Sequence, residues 1–165
     1  SLLIDLVGLF QNFMAGSTQL ENIYAYSTAS EILVTANDGV YRKLTHSEKQ
    51  NLHQLAEDHL DMIWIGPSQQ GVFENDADSI YLIKFIYSFS DQVIGILSLE
   101  LKNTEFANLI TAINIRQSGR MYIIDQQGRP ILNQSINGSE MEKLLQSELW
   151  KNQSEGYLNM KSECG

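Results

Sequence analysis

Residues 79–101, SIYLIKFIYSFSDQVIGILSLEL, decide how this chain is read. β-branched and aromatic residues fill two arms, Ile80–Phe89 and Val93–Leu101, and the polar Ser90-Asp91-Gln92 separates them. The pattern predicts an antiparallel hairpin, because such residues suit a pleated, half-buried surface and the polar trio supplies turn chemistry. Pairing about that turn sets Phe89 opposite Val93, Lys84 opposite Ser98 and Leu82 opposite Glu100. Side chains alternate along a strand, so Lys84, Ser98 and Glu100 are expected on one face and Phe85, Tyr87, Leu97 and Leu99 on the other. One face is then apolar throughout. The other carries a base and an acid close together, and a binding function is expected there.

Upstream, Ser1–Met14 places Leu2, Leu3, Leu6, Val7, Leu9, Phe10 and Phe13 at helical spacing, and Ala15-Gly-Ser-Thr18 ends the stripe. Glu21–Thr28 and Glu31–Ala36 read as short strands with a turn near Ala29-Ser30, followed by a strong turn signal at Asn37-Asp38-Gly39. Thr45-His-Ser-Glu48 has capping-box spacing, and Leu52, Leu55, Ala56 and Leu60 carry the apolar face of the helix it opens, to about Asp61. Met62–Gly66 returns as a strand closed by Pro67, and Ser68–Asp78 is a polar loop. Downstream, Asn103–Ile113 is a helix with Phe106, Leu109, Ile110 and Ile113 on one stripe. Met121–Asp125 and Pro130–Asn133 flank a hairpin turn at Gln126–Arg129, Ser139–Lys151 is a helix, and Glu155–Met160 begins another strand. The second unit resembles the first one interrupted, and the whole is α+β: an antiparallel sheet with helices on one face.

A chain of 165 residues with 43% hydrophobic and 19% charged residues is that of an ordinary folded protein. The net charge of −9 excludes unspecific nucleic-acid binding and disfavours anionic lipid surfaces, since both need a basic face. The lone Cys164 excludes an internal disulfide. No run of about 18 apolar residues is present to span a membrane. The first residue is not Met and the chain stops at Gly165, which predicts an excised piece whose membrane anchor lies elsewhere.

The ordered set Asn22–Tyr26, Trp64-Ile-Gly-Pro67, Val93–Leu101, Phe106–Leu109 and Gly119-Arg-Met-Tyr-Ile-Ile-Asp-Gln-Gln-Gly128 resembles the double-Cache extracytoplasmic sensor region of bacterial receptors, most closely YesM-type sensor histidine kinases. The resemblance implies a PAS-like sheet packed against a long N-terminal helix, residues 1–20, that rises from a membrane span. It implies a membrane-distal sensor module over residues 21–102, a linker helix over 103–118, and a truncated membrane-proximal Cache-like module over 119–165. It also implies a cell-membrane receptor with an extracytoplasmic sensor, a homodimer, and a histidine kinase activity that lies outside this piece. A chemoreceptor or a cyclic-dinucleotide enzyme is the alternative receptor type. In the family pattern Glu100 falls where an acid receives a ligand's amine, and Lys84 near an Arg that receives a carboxylate. The Arg-x-Trp-Tyr signature of amino-acid-binding relatives does not occur between Thr45 and Trp64.

Lys84, Ser98 and Glu100 are therefore the candidate floor of a pocket for a sugar, an organic acid or an amine, with Trp64, Tyr81 and Tyr26 (and Tyr24) as candidate aromatic walls. The competing reading is that Lys84 and Glu100 pair with each other across the strands and the aromatics pack a core. A ligand-free module that docks a partner such as an extracytoplasmic solute-binding protein is the alternative function. His46, His53 and His59 invite a metal reading, since His53 and Glu57 are four apart on the helix and could face one ion. Without a His-Glu-x-x-His arrangement or a cysteine pair, an exposed helix face is expected, with no metal and no cofactor. No nucleophile elbow or phosphate-cradling glycine loop occurs, so the piece itself is not expected to be an enzyme. Asp125 reads as a turn residue.

Overall fold

The computed structural model describes residues 2–37, 39, 41–57, 61–67, 72, 73 and 79–114, with 123–125, 128, 129, 131, 142 and 146 beyond them. Helix α1 (Leu2–Ala15) leads into strands β1 (Leu20–Ser27), β2 (Ile32–Thr35) and β3 (Tyr41–Arg42). Helix α2 (His46–Ala56) follows, then β4 (Met62–Ile65), β5 (Ser79–Tyr87), β6 (Val93–Lys102) and helix α3 (Asn103–Asn114). The predicted α+β class holds, and two-residue β3 is the element the sequence did not announce. His59, Leu60, Cys164, most of the module expected from residue 119, including all but residues 142 and 146 of the helix over 139–151, and the strand from Glu155 lie outside the described residues.

The strands form one antiparallel sheet in the order β3-β2-β1-β6-β5-β4. The chain builds one half outward from β1, crosses through α2, and builds the other half inward, so that β6 closes against β1. α2 begins as its sequence predicts. The Thr45 side chain accepts from the Glu48 amide, and the Glu48 carboxylate accepts from the Thr45 amide.

Period-two alternation sorts the sheet into two faces. The inner face carries Tyr24, Tyr26, Leu33, Ile65, Tyr81, Ile83, Phe85 and Ile96, and Leu44, Leu52, Val72 and Phe73 close over it. The outer face is apolar as well and must also be covered, so helices lie on both faces rather than on the one expected, and the outer cover is divided. Phe10 of α1 packs on Ile23 and Ala36, with Leu6, Met14 and Leu99 around them. Ile110 of α3 packs on Ile80 and Ile131, with Trp64, Leu101 and Phe106 around them. Leu9 and Phe13, also on the predicted α1 stripe, are exposed.

The central hairpin forms, but its register differs from the expected one. The turn sits one position earlier. The Ser88 amide donates to the Gln92 carbonyl at 2.8 Å and the Asp91 amide to the Ser88 carbonyl at 3.1 Å, leaving Phe89-Ser90-Asp91 as the loop. Asp91 takes the left-handed conformation (φ 57°) that closes a three-residue hairpin loop. Moving the turn alone would have kept Lys84 and Ser98 on one face. A β-bulge does not: Tyr87 pairs with Val93 but Ile86 pairs with Gly95, so Ile94 is an extra residue. One extra residue reverses every side chain beyond it. Tyr81, not Leu82, is opposite Glu100, and Lys84 is opposite Leu97.

Candidate functional site

Glu100 is the charged centre of the inner face. It lies on β6 between Asn22 of β1 and Tyr81 of β5, and 7% of it is exposed. A buried carboxylate must be hydrogen-bonded to be tolerated, and this one accepts from hydroxyls on two neighbouring strands. The Tyr24 hydroxyl donates to Oε2 at 2.5 Å, and those of Ser79 and Tyr81 donate to Oε1 at 2.7 and 2.8 Å. Burial, and then the bond to Glu100, push the Tyr81 phenol far above its ordinary value, so it remains a neutral donor. Among the described residues each lysine and arginine pairs with a carboxylate other than Glu100. Arg42 pairs with Glu48, Lys43 and Lys49 with Glu31, Lys84 with Asp61, Lys102 with Glu21 and Arg129 with Asp125.

Around this centre the face is polar but incompletely satisfied. Ser98 and Thr35 flank Tyr24, one on each neighbouring strand. Both are buried, and neither hydroxyl oxygen has a hydrogen-bond partner among the described residues. The Phe73 ring stacks on the Tyr24 ring, with centroids 4.4 Å apart and planes 17° from parallel.

The expected site residues are thus brought together only in part. Glu100, Tyr81 and Ser98 share the inner face. Tyr26 is on it as well, but opposite Ile96, two positions along the strand from Tyr24 and nearer the Lys49–Glu31 pair. Burial raises the Tyr26 phenol above its ordinary value. Lys84 is corrected. The bulge turns it to the outer face, where it is half-exposed with Asp61 3.8 Å away, so it neither shares a floor with Glu100 nor pairs with it. Trp64 is corrected too. It is opposite Leu82 on the outer face and stacks on Phe106 of α3 at 5.9 Å. Sequence reasoning missed Ser79, Thr35 and Phe73. The signal for Phe73 was available: with Val72 it forms an apolar pair inside a polar loop.

At the edge of the same face, Arg42 grips Glu48 with two bonds of 2.6 Å. Burial would raise the Glu48 carboxyl, but the Arg42 bonds and the Thr45 amide outweigh it and hold the group below the usual carboxylate range. Asp125 is a turn residue as expected, accepting from the Arg129 amide at 2.8 Å and its Nε at 2.7 Å.

A single antiparallel sheet with this strand order, covered by α2, Val72 and Phe73 on its inner face and by α1 and α3 on its outer face, is a PAS/Cache-like fold. Among solved structures the chain is similar to the sensory domain of the Campylobacter jejuni chemoreceptor Tlp3 (CcmL), crystallised with isoleucine bound, with a TM-score of 0.54 and 17% sequence identity. The match covers 86% of this chain and 59% of that chain. No protein-family model and no curated protein matches the sequence. No helix among the described residues is long and apolar enough to cross a membrane, and no metal-binding group of His, Cys, Asp and Glu occurs among them.

Proposed function

We propose that this chain is the extracytoplasmic ligand-sensing region of a transmembrane receptor, and that its ligand carries an amine which docks on Glu100. The carrying observation is a buried carboxylate that, among the described residues, is held by neutral hydroxyls alone, on the covered face of a sensor-type sheet. Hydroxyl donors solvate such a charge without neutralising it, and a ligand cation would complete the balance. The fold supports the reading, because the neighbouring chemoreceptor domain carries a small molecule. The chain itself has no part in chemistry; binding would bias one arrangement of the sheet and its helices over another by the ligand's differential affinity for the two. The output partner we favour is a histidine kinase of the YesM type acting as a homodimer, on the strength of the sequence resemblance.

The test is a thermal-shift screen with primary amines, amino acids, sugars and organic acids on the wild-type chain and on Glu100→Gln. A ligand that binds only the folded state must raise the melting temperature. An amine is expected to do so by several degrees in the wild type and not in Glu100→Gln, which keeps the side-chain shape. A panel in which nothing stabilises the wild type at millimolar concentration would overturn the small-molecule reading. Stabilisation by a solute-binding protein instead would favour a docking module.

A further inference from the structure

Phe73 covers the most polar part of the inner face. Its ring lies flat on Tyr24, whose hydroxyl holds Glu100, and the hydroxyls of Ser98 and Thr35, unpartnered among the described residues, lie on either side of Tyr24. Apolar packing explains why Phe73 and its neighbour Val72 are buried. It does not explain why the strand positions beside the covered ring carry hydroxyls without partners, because buried polar groups are nearly always hydrogen-bonded and leaving one unpaired is costly. A valine at 35 and an alanine at 98 would fill the same places without that cost. Two orphaned hydroxyls next to a stacked ring are what remains when a removable ring stands where a polar guest belongs.

We infer that Ser98 and Thr35 form a neutral hydrogen-bonding subsite beside Glu100, that the Phe73 ring occupies it in the unliganded domain, and that the ligand is a planar-ringed molecule which replaces that ring on Tyr24. This rests on the Glu100 site proposed above. The guest's ring takes the stacking position, its donor group faces Glu100, and a hydroxyl or amide on it answers the Ser98 or Thr35 oxygen. No charged partner is needed at the second subsite, because serine and threonine are neutral donors and acceptors. The competition is intramolecular, so the ring lowers the apparent affinity of any guest by the fraction of time it is in place.

Phe73→Ala removes the competitor and leaves space for a free ring. The 165-residue chain, as wild type and as Phe73→Ala, is titrated with benzylamine, benzyl alcohol and toluene, and binding is read from the NMR methyl signals of Ile83 and Ile96, which share the inner face. Phe73→Ala is expected to bind benzylamine and benzyl alcohol at least tenfold more tightly than the wild type does, and both more tightly than toluene. Adding Ser98→Ala and Thr35→Val is expected to weaken benzyl alcohol at least threefold while leaving toluene unchanged. Equal binding of all three probes would make the space a dry apolar void of the kind any core truncation leaves, and would overturn the inference. So would benzyl alcohol binding that ignores the two hydroxyl variants. If Phe73→Ala loses its cooperative melt, Phe73→Leu keeps apolar bulk without the stacked ring and is expected to give the same order of probes. The outcome is separable from the sensing reading. An amine that stabilises the wild type while the Phe73 variants behave as a void would remove Phe73 and the neutral subsite, and leave Glu100 standing.

Discussion

The Tyr24 hydroxyl donates to the Glu100 carboxylate at 2.5 Å, tying the first strand of the sheet to the last. The bond spans two elements that are distant in the chain and central in the sheet, so it belongs to the fold as much as to any ligand. Tyr24→Phe removes one donor from a buried charged acceptor and is expected to destabilise the chain by about 1.5–3 kcal/mol. Urea unfolding measures it. A loss below about 0.5 kcal/mol would mean that Glu100 finds water in place of the lost hydroxyl.

Lys84 and Asp61 form a long contact between exposed groups on the outer face. Such pairs contribute little, so Lys84→Ala is expected to change stability by no more than about 0.5 kcal/mol. It is also expected to leave an amine-induced thermal shift untouched. A lost shift in Lys84→Ala would restore the face assignment that the bulge contradicts.

Gly95 sits beside the bulge, where a Cβ would come 2.8 Å from the Tyr26 carbonyl oxygen. That oxygen is backbone of the neighbouring strand and cannot swing aside. Gly95→Ala is expected to cost about 1–3 kcal/mol, the range of an overpacked site, as read by thermal or urea melts. A neutral substitution would show that the two central strands separate without cost.

The lowered pKa of Glu48 gives an acid limb to stability. In the fold the ionised form is favoured, so its contribution is complete above the ordinary carboxyl value of 4.5 and is lost as pH falls below that value. The melting temperature is expected to fall with pH in that window. Glu48→Gln is expected to be less stable near neutrality, by about 1–3 kcal/mol, and to show a shallower acid limb. An identical acid limb in Glu48→Gln would assign the effect to other carboxylates.

Much of the sheet was legible because its strands advertise themselves by period and composition. The capping box at Thr45 and Glu48 was legible for the same reason: local hydrogen bonds depend on local spacing. The face assignment of Lys84 was not, because it depended on one unpaired residue. Nothing in Val93-Ile94-Gly95 distinguishes a bulge from a regular strand except Gly95, whose close approach to β1 is a tertiary fact. Glu100 and Ser98 stand two apart on one strand and so share a face in any register, and the expectation of an aromatic on that face holds for the placement of Tyr81. Trp64 failed it: aromatics suit either face, and only the position of α3 decides where an indole goes. Thr35 and Phe73 are made relevant by Tyr24 alone, through pairings no local pattern encodes.

Strand β6 offers Glu100 to the covered side, while the residues on either side of it in sequence, Leu99 and Leu101, press against α1 and α3 respectively. A guest pulling on that carboxylate would therefore load the footing of both helices at once. Sliding the strand by a fraction of an ångström would be a message delivered to two addresses, and neither helix could receive it without the other.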